Sequence, residues 1–188
     1  MKKKTDWIET FTGKKFYPLE PDKDLIDIED IAHALSFICR FNGHAPIFYS
    51  VAEHSLYCLY IARELNLDKI TQLQCLMHDA SEAYISDIPR PIKKYLPKYK
   101  DYENKLLDFI FEKYKIPKKM PAIVKEIDTR MLKTECVQLF KPKNNWASLD
   151  EIKEYSIKLK PIKNSKKLFL KEFFSLSNKI TYSDINDK

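Results

Sequence analysis

Residues 50–91, "SVAEHSLYCLYIARELNLDKITQLQCLMHDASEAYISDIPRP", decide the fold class. Val51, His54, Ser55, Cys58 and Ile61 or Ala62 fall on one stripe at helical spacing, and Ile70, Leu73, Leu76, Met77 and Ala80 form a second. Two amphipathic helices are predicted, over about 49–65 and about 68–84, and His54 points inward from the first. The second ends its apolar face with His78 and Glu82 four residues apart and Asp79 beside them; Asp87 follows before Pro89 and Pro91 enforce a turn. Side chains of this kind are costly beside a core unless something pairs with them, and a metal ion is one such partner.

Working outward, Ile28, Ile31, Leu35 and Ile38 predict a helix over about 27–40, with Asp24, Asp27 and Asp30 as start signals. Gly43 and Pro46 in "FNGHAP" break it. Residues 6–18 alternate large apolar and polar side chains around Thr12-Gly13, the pattern of a short hairpin. Downstream, "YENKLLDFIFEKY" (102–114) and "PAIVKEIDTRMLKTECVQLF" (121–140) read as two more helices. The latter buries Ile123, Ile127 and Met131 or Leu132, with Asp128 bordering that side. A lysine-rich stretch from 141 to 165 leads to a last amphipathic helix over about 163–179 and a polar tail.

The 188 residues suit one domain with one sizeable core, residues 1–188, its motif-bearing part over about 27–140. Only two glycines argue for helices over a sandwich, so the predicted class is all-α with a possible N-terminal β-hairpin. The four cysteines form no C-x-x-C pair, which gives no zinc ribbon or disulfide framework and fits a reducing cytoplasm. No signal-type or membrane-length apolar run is present, so no membrane partner is expected. A net charge of +6 spread over scattered lysines reads as solvated helix faces, and nucleic acid is not the expected partner.

An adjacent His-Asp pair offers a divalent ion one nitrogen and one oxygen. Here His54 faces the same core as His78-Asp79, and Asp128 supplies a second carboxylate near the end of a buried stripe. Two imidazoles and two carboxylates suit manganese, cobalt, iron, nickel or zinc and leave positions for water and substrate oxygens. A carboxylate one turn from a ligand, as Glu82 is from His78, can take a water's proton.

These pieces match a known pattern, H…HD…D. "ICRFNGH" around Arg40, "SVAEHSL" around His54, "HDASEAYISDIPRPIK" from His78 to Lys93 and "KEIDTRM" around Asp128 follow it in order across residues 38–132. The chain resembles the HD-domain phosphohydrolases, most nearly the small bacterial 5'-deoxynucleotidases and the phage dATP triphosphohydrolases. The resemblance implies a compact HD-type helical bundle, one divalent transition metal held by His54, His78, Asp79 and Asp128, and a homo-oligomer. It also implies that Glu82 positions or deprotonates the attacking water, that Asp87 contacts the substrate near its sugar or scissile bond, and that Arg40 holds phosphate. Phe41 stands where the 5'-deoxynucleotidases carry Trp, which keeps a ring to stack but removes bulk thought to exclude ribose. His44 in the same loop, and Arg90 and Lys93 after the motif, are further candidates for substrate contact; His33 reads as a solvent-facing helix residue.

The function this implies is a metal-dependent 5'-(deoxy)nucleotidase that releases phosphate from nucleoside monophosphates by attack of a metal-bound water. The alternative within the class is a dNTP triphosphohydrolase. A nucleotide-binding module with a structural metal is the alternative outside it.

Overall fold

The spacing read above resolves into helices in the computed structural model, which describes residues 6–140 and 149–177. The fold is all-α with a two-stranded antiparallel hairpin at its start. Strands β1 (Ile8–Glu9) and β2 (Lys15–Phe16) pair Ile8 with Phe16 and Glu9 with Lys15, and Gly13 supplies the positive φ of the turn, 81°. The turn is anchored by a buried acid: Thr12 donates its backbone N–H (2.7 Å) and its hydroxyl (3.0 Å) to Asp30. Phe16 is wholly buried and stacks on Tyr84, their ring centroids 4.0 Å apart.

Helix α1 (Ile28–Phe37) buries Ile28, Ile31, Ala32 and Leu35. Of the three aspartates predicted to start it, Asp27 is the cap, accepting the Glu29 N–H at 2.9 Å, whereas Asp30 lies inside the helix and holds the hairpin. His33 is not simply solvent-facing: its ring stacks on Phe11 (centroids 3.8 Å apart) and lies 4.7 Å from that of Phe37. The helix ends three residues before the predicted end because Ile38 turns extended and Cys39 bridges to Ser50. Arg40 therefore leaves the helix for a 3₁₀ turn, Arg40–Gly43.

Asp27 also accepts Lys14 Nζ at 2.7 Å, so one carboxylate ties the hairpin to the start of α1. Burial alone would raise its pKa, but the Lys14 hydrogen bond and the Glu29 amide outweigh it and hold the group below its ordinary value. Asp27→Ala should cost about 1–2 kcal/mol in urea unfolding at pH 7, the size of a lost cap. Because the folded-state pKa is depressed, this stabilisation is complete above the unfolded value and is lost as pH falls below about 4. Equal unfolding midpoints for the two proteins at pH 7 would contradict the assignment.

Helix α2 (Val51–Glu64) starts with a capping box: Ser50 Oγ accepts the Glu53 N–H, and Glu53 accepts the Ser50 N–H. Helix α3 (Lys69–Met77) is capped by Asp68, which accepts the Thr71 N–H at 3.0 Å. Ile70, predicted on its apolar face, is exposed. The helix predicted to run to residue 84 stops at Met77. The Ala80, Glu82 and Tyr84 amides donate to the Met77, Asp79 and Ser81 carbonyls, so the segment tightens to three-residue hydrogen bonding before the short α4 (Glu82–Ile85). Then come α5 (Arg90–Lys93), α6 (Pro97–Lys113), α7 (Ala122–Leu139) and α8 (Ser165–Leu176), the last shorter at both ends than the 163–179 predicted.

Leu35, Leu56, Leu76, Ile110 and Phe169 belong to the larger apolar cluster, which joins α1, α2, α3, α6 and α8. A smaller one packs Cys58 and Ile61 of α2 and Cys75 of α3 against Ile127 and Met131 of α7. Helix α2 lies between the two clusters, which is why His54 in its middle has no solvent exposure. Residues 1–5, the 141–148 part of the lysine-rich stretch and the tail after 177 lie outside the described residues. Among those described, no helix is long and apolar enough to cross a membrane.

Candidate metal centre

The four residues of the H…HD…D pattern meet where α2, the end of α3 and α7 converge. His54 Nδ1 is 2.6 Å from Glu135 Oε1, and His78 Nδ1 is 2.8 Å from the Cys75 carbonyl oxygen. A carbonyl only accepts, so the His78 proton is on Nδ1. The ionised Glu135 fixes His54 in the same way. Both Nε2 lone pairs then face one another at 3.3 Å. Two acceptors so placed repel unless a proton or a metal ion lies between them; burial and Arg40 work to lower the His54 pKa, but the neighbouring Cys58, Glu135 and Asp128 outweigh them and favour a proton there when no ion is bound.

The carboxylates complete the cluster. Asp79 Oδ2 is 3.2 Å from His78 Nε2 and 3.8 Å from His54 Nε2, while Asp128 Oδ1 is 3.3 Å from His54 Nε2 and 3.9 Å from His78 Nε2. Donors about 2.1 Å from a shared ion are about 3.0 Å apart at right angles and about 4.2 Å apart across it. Five of the six separations among these four ligand atoms are given by these distances and fall inside that window, a spacing compatible with one shared divalent ion. Burial works to raise the pKa of both carboxyls, but positive charge at the histidines, present when the imidazoles are protonated, outweighs it and holds Asp79 and Asp128 below the usual carboxylate range. The exposed Lys125 takes the other oxygen of Asp128 at 2.6 Å and leaves Oδ1 turned to the histidines.

Cys58, one turn after His54, was not singled out in the sequence. Its Sγ is 3.5 Å from His54 Nε2, and donors of His54, Cys58 and His78 all lie within 4.8 Å of one another. Burial pushes the thiol pKa up against the pull of His54, which favours the neutral form. Only deprotonation would make it a strong further donor.

Glu82 is 4% exposed, its Oε1 lies 3.5 Å from Lys93 Nζ, and its Oε2 is buried without a hydrogen-bond partner. Burial, then the Asp79 and Asp87 charges, raise its pKa well above the ordinary value, against Lys93 and Arg40. A carboxylate made more basic and left half-satisfied is suited to accept a proton. Asp87, in the loop after α4, is raised chiefly by burial, opposed by Arg40. Lys93 donates to Glu103 at 2.7 Å, so its charge is divided between Glu103 and Glu82.

Arg40 is 9% exposed. Its Nε donates to Glu135 Oε2 at 3.1 Å, Nη2 lies 3.1 Å from the same oxygen, and Nη1 is 3.8 Å from Asp79 Oδ2. Phe41, at φ 55° and followed by Asn42 at 53° and Gly43 at 77°, turns its ring edge-on to Phe140 with centroids 5.0 Å apart. Phe41 and Asn42 are two successive non-glycine residues in the left-handed region, strained backbone of a kind that clusters at ligand-binding loops, while Gly43 takes the same conformation freely. His44 and Arg90 are exposed, and among the described residues no hydrogen bond or ion pair joins either to the four ligands.

Glu135 belongs to none of the motifs in the sequence. It has no solvent exposure and accepts from Arg40, Tyr49 and His54, the Tyr49 hydroxyl at 3.0 Å. The available signal was its position seven residues after Asp128, two helical turns along the same face of α7.

No protein-family model matches the chain. It is similar to the uncharacterized protein YfdR of Escherichia coli (strain K12), 47% identical over 129 residues that cover 69% of this chain and 70% of that one. It is also similar to an uncharacterized protein of Rhodobacter capsulatus, 32% identical over 145 residues, 72% of this chain and 74% of the relative.

Proposed function

The chain belongs to one family with these two relatives, and on the geometry of its own site together with the resemblance of its H…HD…D motifs we propose that it is an HD-type, metal-dependent phosphohydrolase of nucleotides. One observation carries the reading: His54, the adjacent His78 and Asp79, and Asp128, from three separate stretches of the sequence, place their donor atoms 3.2–3.9 Å apart across the pairs described above, with the two Nε2 atoms 3.3 Å apart. A divalent ion held there would lower the pKa of a water and neutralise charge on a phosphoryl oxygen.

The chain's own groups supply the rest. Glu82 Oε2, lacking a partner, accepts the proton of the attacking water, while Lys93 on Oε1 keeps the carboxylate turned the right way. Arg40, held through Nε and Nη2 by Glu135, offers substrate phosphate the Nη hydrogens that Glu135 does not take, and Asp87 lines the approach. The substrate favoured is a nucleoside 5'-monophosphate.

The test is hydrolysis of ribo- and deoxyribonucleoside mono-, di- and triphosphates in the presence of manganese, cobalt, nickel, zinc or ferrous ion in turn. Release of inorganic phosphate from monophosphates is the expected result. Release of intact triphosphate from dNTPs would move the activity to a triphosphohydrolase, and hydrolysis of no nucleotide with any ion would overturn the reading.

A further inference from the structure

Glu135 stands between two parts of the site that the sequence presents as separate. Its Oε1 receives the His54 imidazole at 2.6 Å and the Tyr49 hydroxyl at 3.0 Å, and its Oε2 receives the Arg40 guanidinium through Nε at 3.1 Å, with Nη2 also at 3.1 Å. The donors come from the 3₁₀ turn, the loop before α2 and α2 itself, and the acceptor from α7. A carboxylate with no solvent exposure is retained in a core only when its oxygens are well satisfied, and here both are. The carboxylate is rigid and planar, so its two oxygens fix the spacing of the imidazole and the guanidinium.

We infer that Glu135 is a positioning residue which holds the metal ligand His54 and the phosphate-binding Arg40 in one geometry, so that ion affinity and phosphate affinity both depend on it. This rests on the metal-centre reading given above. On the ion side, the Nδ1–H to carboxylate bond fixes the His54 tautomer with Nε2 bare and makes that nitrogen a better donor. On the phosphate side, Arg40 is desolvated and pre-oriented: Nε is bound to Glu135 and Nη1 faces Asp79. An anion then meets an ordered guanidinium, with less side-chain entropy to lose.

The experiment compares the parent protein, Glu135→Gln and Tyr49→Phe. Zinc affinity is measured by competition with a chromophoric chelator, and inorganic phosphate affinity by calorimetry on zinc-saturated protein. Glu135→Gln should weaken zinc by roughly 10–100-fold, the scale seen when a carboxylate behind a ligating histidine is lost. It should weaken phosphate by roughly tenfold, because Arg40 loses its charged anchor. Tyr49→Phe removes a donor from the same buried oxygen and should move neither affinity by more than about threefold, which separates positioning from general damage to the core. Unchanged zinc and phosphate affinities in folded Glu135→Gln would overturn the inference.

A measurement on the parent protein needs no variant to fold. Long-range proton–nitrogen spectra of the zinc-loaded protein should show His54 protonated at Nδ1 and metallated at Nε2, and the reverse assignment would overturn the inference. If the parent protein takes up no zinc, cobalt or manganese, the metal-centre reading itself has failed. Ion uptake with an unaffected Glu135→Gln fails the inference alone.

Discussion

Glu82→Gln is expected to lower turnover by at least roughly a hundredfold while leaving ion and nucleotide affinity within about twofold of the parent, the pattern of a lost general base. The substitution is isosteric and changes one thing: an amide cannot take a proton at the pH of the assay. Glu82 is buried, and Lys93, 3.5 Å from Oε1, already has the Glu103 carboxylate at 2.7 Å, so Lys93 keeps a partner in the variant. Stability distinguishes the functional reading from a structural one. A buried carboxyl whose Oε2 has no partner contributes little to the fold and carries a desolvation cost, so removing its charge should leave the thermal midpoint unchanged or raise it. A structural acid would instead show a lowered midpoint with turnover falling only in proportion to unfolded protein. Turnover in Glu82→Gln close to that of the parent would remove Glu82 from the mechanism.

The second large effect is on ion uptake. Asp128→Asn and His78→Gln should each weaken ion binding well over a hundredfold, beyond the 10–100-fold typical of a lost outer partner, with hydrolysis falling to background. Elemental analysis after dialysis against the ion reads this directly and needs no substrate. The two variants should otherwise remain folded, since both side chains lie at the open side of the cluster, 15% and 8% exposed. His54→Ala should differ in one respect. It would lose the ion and also leave the wholly buried Glu135 without its Nδ1–H donor, adding about 1–3 kcal/mol of destabilisation. Stoichiometric ion in both Asp128→Asn and His78→Gln would show that the ion, if bound, is held elsewhere. A His54→Ala protein as stable as the parent would show that the Glu135 contact contributes nothing to the fold.

These two sets of variants bear on different steps. Ligand variants remove what the ion supplies, and Glu82→Gln removes only what the chain adds to it. A protein that loses the ion in the first set and retains it in the second behaves as an enzyme of the proposed class. A structural metal in a binding module would instead give loss of fold in the first set and no change in the second.

Helical spacing was enough to give the class of fold, and the motifs were enough to propose a ligand set. Helical periodicity is a local property, so Val51, Cys58 and Ile61 could be assigned to one buried stripe from spacing alone, and His54 with them. The four proposed ligands were legible because each matched a short motif of the H…HD…D pattern, in its order. Helix ends were less legible. Nothing near Phe37 forbids another turn of α1; the helix stops because Cys39 pairs with Ser50, a residue eleven positions on. The break after Met77 likewise depends on three-residue hydrogen bonding that turns His78 and Asp79 together toward α2 and α7.

Which charges meet is settled by packing alone. Arg40 and Glu135 are 95 residues apart, and Lys93 could have faced solvent or a ligand until α6 brought Glu103 to within 2.7 Å of it. An ion pair leaves no periodic trace in sequence, because its strength depends on distance and desolvation and not on spacing along the chain. The sequence therefore offers the donors of the proposed metal centre, while the packing of α7 against α2 supplies the carboxylate that accepts from one of them, His54.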